Sequence, residues 1–167
     1  MECFREMLNN PEIEQLLGGW SYPVSRQQQD WYVNAVKDRN NLRWSVVRKS
    51  DDQLLGMVNL VDIDWKDGVA VHGIRLIPGD NFRHQGYGTD AVKILMQYAF
   101  EELRLHRLET TILEYNKISQ ALYKKCGWSQ EGIKREAIYR KGRFFDLQMW
   151  GIISQDYYNS NFGKDEQ

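Results

Sequence analysis

Residues 73–127, GIRLIPGDNFRHQGYGTDAVKILMQYAFEELRLHRLETTILEYNKISQALYKKCG, decide how the rest of the chain is read. They spell a strand, a glycine-containing loop, a helix, a second strand and a short helix closing on Cys126-Gly127. The loop carries Arg83-His84-Gln85-Gly86-Tyr87-Gly88. Glycines beside a helix start let main-chain N–H groups approach a ligand, and the positive end of the helix favours an anion there. The stretch therefore predicts a loop that holds phosphates.

Working outward, the 167 residues are read as a single domain, 1–167, large enough for its own core. The formal charge is −1, with acids and bases interspersed, which argues against a nucleic-acid or membrane partner. Six Trp and nine Tyr speak for a folded domain. With only Cys3 and Cys126 present, a disulfide framework is not expected and a reducing compartment is the simple reading. There is neither an apolar run of ~18 residues nor a basic-then-apolar leader. The expectation is a cytoplasmic protein.

Upstream of the central stretch, residues 1–19 read as helical with a break at Asn9-Asn10-Pro11, and Ser25 as the cap of a second helix. Strands follow at 42–48, 54–65 and 69–77, with Asp67-Gly68 as a two-residue hairpin turn. A helix over 89–103 shows an apolar stripe of Val92, Leu95, Met96, Ala99 and Leu103. Residues 108–113 form a strand and 116–125 a short helix; strands at 129–139 and 144–153 flank Arg140-Lys141-Gly142-Arg143. Residues 156–167 read as a frayed polar tail. One strand–helix–strand crossover among hairpins forces one parallel pair into a mostly antiparallel sheet. The fold class is mixed α/β, not doubly wound.

Gly86-Tyr87-Gly88-Thr89-Asp90-Ala91 also fits the G-x-G-x-x-A dinucleotide fingerprint, with the acid Glu114 downstream. That alternative, an oxidoreductase, is disfavoured because the eight residues 78–85 separate the loop from its strand and only one crossover exists.

The same residues, read as Arg83-x-x-Gly86-x-Gly88, resemble the [Q/R]-x-x-G-x-[G/A] pyrophosphate loop of GCN5-related N-acetyltransferases, the GNAT superfamily. The segment NKISQALYKKCGW, from Asn116 to Trp128, is similar to that family's N-x-x-S/A-x-x-L/F-Y-x-K-x-G-F/W signature. Glu131-Gly132, Arg140-Lys141-Gly142 and the strand with Asp146 resemble its ribosomal-protein and polyamine branch, as do Asn10-Pro11-Glu12-Ile13, Pro23-Val24 and Trp31-Tyr32. One departure is the N-terminus, where helix-like sequence begins at once and the family's first strand is not expected.

The resemblance implies a GNAT fold, acetyl-CoA as cosubstrate, and transfer of acetyl to a primary amine by direct attack in a ternary complex. The amides from Gln85 through Gly86, Tyr87 and Gly88 to Thr89 would cradle the pyrophosphate, with Arg83 and His84 beside them. The strands of Ile74–Ile77 and 108–113 would splay, and backbone at Ile74 and Leu76 would bond the pantetheine arm as an added strand does. Asn116 would bond the pantetheine, cap the helix, or both; Ser119 belongs to the same cofactor-binding signature. Tyr123 matches the family's proton donor to the CoA thiolate.

The group that takes the amine's proton is not fixed by the family. Asp62, Asp64, His72 and Glu114 are candidates, with Glu114 nearest the expected chemistry. A two-residue Asp67-Gly68 turn would pair Asp62 with Gly73 and His72 with Ile63, on opposite faces. The acceptor is expected to be a polyamine, another small amine or a protein N-terminus. Asp62, Asp64, Glu114 and Glu131 would suit a cation. A non-catalytic CoA-binding module is the alternative on the same fold. Exposed aromatics and the missing edge are compatible with a homodimer.

Overall fold

The structure is a computed structural model, and it describes residues 9–16, 25, 27, 38–78 and 85–160. Apart from residues 25 and 27, the predicted second helix lies outside the described residues, as do the first-strand question, Arg83, His84 and residues 161–167. Helix α1 is Pro11–Leu16, and Asn10 caps it by accepting the Glu12 amide at 2.8 Å.

Strands β1 (Leu42–Val47), β2 (Leu54–Asp64) and β3 (Val69–Leu76) form an antiparallel meander. Helix α2 (Tyr87–Gln97) runs on into a π-helical turn, Tyr98–Glu102. Then come β4 (Arg107–Leu113), α3 (Lys117–Lys125), β5 (Ser129–Arg140), β6 (Arg143–Ile153) and α4 (Ser154–Asn159). The sheet order among the described residues is β1-β2-β3-β4-β6-β5, and β3–β4 is its parallel pair. The predicted mixed sheet is therefore present.

The apolar stripe of α2 explains the layer above the sheet. Ala91, Val92, Leu95 and Met96 are buried, and Ala99 and Phe100 continue the stripe. They join one core with Leu60 and Ala70 of the meander and with Leu108, Ile112 and Ile152 of the second half. Each large apolar side chain removed from water here contributes about 1.5–3 kcal/mol. The β5–β6 hairpin closes through Lys141 and Gly142, whose φ of 49° and 82° suit a two-residue turn with both centres left-handed.

Three expectations are corrected. The β2–β3 connection is four residues, 65–68, because Asp64 pairs with Val69. Asp64 Oδ1 accepts the amides of Lys66 and Asp67 at 2.9 and 3.1 Å, and its carbonyl accepts the Gly68 amide at 2.8 Å. Gly68, at φ 67°, turns its own carbonyl to the amides of His106 and Arg107. A bulge between Val61 and Asp64 completes the shift, so His72 faces Leu60 and Gly73 faces Asn59. Second, the predicted 89–103 helix begins at Tyr87 and widens at Tyr98–Glu102. There Tyr157 donates to Glu101 at 2.6 Å and Tyr158 to the Phe100 carbonyl at 3.3 Å. Third, residues 156–159 are not a frayed tail. They belong to α4, and Tyr157 is buried against Phe100.

Candidate active site

The parallel ladder of β3 and β4 covers only Val69↔Arg107, Ala70↔Leu108 and Val71↔Glu109. Beyond it both strands continue, β3 to Leu76 and β4 to Leu113, without pairing to each other. This is the predicted splay. It leaves a strand edge on β3 that includes Ile74 and Leu76.

At the fork stand His72 and Thr110, the first residues of the two strands that do not pair with each other. Both are buried. Tyr123, on α3, reaches them from above. Its hydroxyl lies 2.8 Å from His72 Nδ1, and its ring meets His72 and Trp128 edge-on. Burial pushes the Tyr123 phenol above its ordinary range, while a hydrogen bond with Thr110 pulls the other way. The phenol therefore stays protonated at neutral pH. Burial holds the His72 imidazole neutral, lowering its pKa to about 3. A ring that refuses a proton so strongly is a poor base for an ammonium group.

The N-terminus of α2 opens beside the splay. Gly86 takes the N-cap in the left-handed region, φ 88°, and no side chain caps the helix. The leading amides of Tyr87, Gly88 and Thr89 therefore point outward without a helical partner. A Cβ on Gly88 would meet Leu76 Cδ1 at 3.3 Å and Leu122 at 3.6 Å, so this glycine lets α2 press against β3 and α3. Gln85 and Gly86 are described; Arg83 and His84, predicted beside them, are not.

Asn116 fastens the open end of β4. Its Oδ1 accepts the Ser119 amide at 3.1 Å, capping α3, and its Nδ2 donates to the Leu16 carbonyl of α1 at 3.0 Å. Tyr115 adds a bond to the Gln15 carbonyl at 2.6 Å. Glu114 sits at the same end, and its Oε1 accepts the Asp146 amide of β6 at 3.2 Å.

The remaining acids lie elsewhere. Asp62 and Asp64 are exposed at the paired end of β3, and Asp64 is occupied by its turn. Glu131 is bonded to Arg107, which holds its carboxyl below the ordinary range, so its charge is already matched. Asp62 and His72 do not cooperate, as expected, although the reason is the bulge and not the predicted pairing. Cys126 is buried at the C-terminal cap of α3, and burial raises its thiol pKa, in keeping with a packing role. Sequence reasoning missed the meeting of His72, Thr110 and Tyr123. Correct turn length at 65–68 is the signal that would have found it.

A splayed parallel pair, a glycine-led helix start beside it and a buried phenol at the fork stand together at the open end of the β3–β4 pair. A family model described as "Acetyltransferase (GNAT) domain" matches residues 1–129. The chain belongs to the GNAT family of N-acetyltransferases, enzymes that use acetyl-CoA. Among curated relatives, spermidine N(1)-acetyltransferase of Vibrio cholerae is 28% identical over 140 residues, 83% of this chain and 78% of the relative. The prophage-derived uncharacterized N-acetyltransferase YokL of Bacillus subtilis is 25% identical over 146 residues, 87% of this chain and 81% of the relative. The crystal structure of the V. cholerae spermidine N-acetyltransferase with CoA and spermine superposes with a TM-score of 0.86 at 23% identity, covering 95% of this chain and 92% of that one. At that identity the likeness shows the fold. Family membership removes the dinucleotide alternative. Among the described residues no helix is long and apolar enough to cross a membrane.

Proposed function

We propose that the chain transfers acetyl from acetyl-CoA to a primary amine, by direct attack within a ternary complex, with a polyamine as the leading acceptor class. The observation that carries this reading is the Tyr123 hydroxyl at the fork where β3 and β4 part. The pantetheine arm enters the opening and bonds the free edge of β3 at Ile74 and Leu76. The pyrophosphate meets the amides of Gly86, Tyr87, Gly88 and Thr89, whose helix dipole favours it. Gln85, and Arg83 and His84 beyond the described residues, flank that contact. Asn116 holds the end of β4 and the start of α3, with Ser119 in its cap.

Attack by the amine forms a tetrahedral carbon and expels the CoA thiolate. The C–S bond breaks, and Tyr123 supplies the proton to sulfur. Glu114, beside the opening, is the carboxylate assigned to take the amine's proton. The names of the spermidine-acetylating relatives favour a polyamine acceptor. A protein N-terminus is the next class. Self-association into a homodimer, and a cytoplasmic location, complete the reading.

The test is a free-thiol assay with acetyl-CoA over spermidine, spermine, monoamines, amino sugars and N-terminal peptides. Turnover with polyamines well above the others supports the assignment. Turnover with peptides alone moves the acceptor to the second class. Acetyl-CoA binding without transfer to any amine would make the chain a non-catalytic CoA module.

A further inference from the structure

We propose that His72 is the positioning residue for Tyr123: its Nδ1–H donates to the phenol oxygen, as the Thr110 hydroxyl beside it does, and so directs the Tyr123 O–H into the opening. The inference rests on the proton-donor reading of Tyr123.

The geometry leaves two arrangements for the 2.8 Å contact. If Nδ1 were the acceptor, the phenol proton would be spent on the imidazole, and the second ring nitrogen would carry a hydrogen. Nε2 is buried and has no hydrogen-bond partner among the described residues. A buried N–H without an acceptor is rarer in folded proteins than an acceptor without a donor. The Nδ1–H tautomer is therefore favoured, with a bare Nε2. The ring cannot turn to exchange its nitrogens freely, because Tyr123 and Trp128 both pack against it edge-on, 5.5 Å between centroids.

The arrangement answers a difficulty in the chemistry. A phenol buried this deeply gives up its proton reluctantly. As the Tyr123 O–H bond breaks and the S–H bond forms on the leaving thiolate, the phenolate keeps the electron pair. The Nδ1–H of His72 strengthens its bond to that oxygen as charge develops, a donor set in place before the reaction. Glu114 takes the first ammonium proton before attack, and the second, lost by the acylated nitrogen, then restores the phenol.

The experiment combines the resting tautomer with a double-mutant cycle on the full chain. Nitrogen-15 shifts of the His72 ring are expected to show hydrogen on Nδ1. His72→Asn places its amide nitrogen where Nδ1 was, and His72→Gln places it where Nε2 was. The expected result is kcat within about threefold of the parent for the Asn form and about tenfold lower for the Gln form, with the KM for acetyl-CoA unchanged. Adding Tyr123→Phe should erase the difference between Asn and Gln. Hydrogen on Nε2, equal loss in both variants, or a Gln effect that persists in the Phe background would each overturn the proposal. Full activity in Tyr123→Phe would remove the proton-donor reading itself. A deep loss in Tyr123→Phe with wild-type rates in both His72 variants would remove only the role of His72.

Discussion

At one end of the β3–β4 pair, residues 69–71 and 107–109 ladder together, and Asp64, Glu109 and Glu131 are engaged. Arg107 binds Glu109 at 2.7 Å and also Glu131, while Asp64 folds into its own turn. At the other end the same two strands leave their edges unpaired and bury polar groups beneath α3. His72, Thr110, Asn116 and Tyr123 all lie there, each under a tenth exposed. A sheet does not give up ladder bonds and bury polar side chains without a use for the space. The closed end holds the strands together, and the open end is where the proposed function puts the ligand.

Substitutions should separate the two ends. The largest effect is expected from Tyr123→Phe, which should lower kcat by about a hundredfold while leaving acetyl-CoA affinity nearly unchanged. Steady-state rates beside calorimetric titration will check it. Gly88→Val comes next. Its branched side chain would wedge against Leu76 and Leu122 and swing the α2 amides away, weakening acetyl-CoA binding by about tenfold.

Acid should also act on the open end. The His72 ring stays neutral in the fold down to about 3 but takes a proton near its ordinary 6.5 once unfolded. Its contribution to stability is complete above 6.5 and is lost as pH falls toward 3. Urea titrations at pH 6.5 and 5 should show the parent losing about 2 kcal/mol more than His72→Asn. Asn116→Ala removes a cap and a tie to α1, and should lower stability by about 1 kcal/mol while raising the KM for acetyl-CoA. The smallest change is expected at the closed end. Glu131→Gln should reduce stability by under about 1 kcal/mol at neutral pH and leave kcat within about twofold. That small difference should vanish in acid, because the Glu131 pKa is depressed in the fold.

Much of the open end is legible in the sequence alone. The glycines of the loop, the stripe of α2 and the cap at Asn116 are local signals, set by backbone freedom, helical period and a side chain bonding three residues ahead. The fork is not legible in that way. Its position depends on a four-residue turn that Asp67-Gly68 disguises as a shorter one. The longer turn persists because Asp64 bonds two amides within it and Gly68 bonds the start of β4. That second partner is 38 residues away from Gly68 in the case of His106 (106 − 68), beyond the reach of local pattern. The π turn and α4 are hidden for the same reason, since Tyr157 and Tyr158 act on Glu101 and Phe100 across the fold.

Amide shifts during an acetyl-CoA titration test the division of the two ends most directly. The account predicts movement at residues 72–76 and 85–89 and at Asn116, with residues 65–71 and 107–109 still. Shifts concentrated on the 65–68 turn and around Arg107, with the open edge of β3 unmoved, would contradict it.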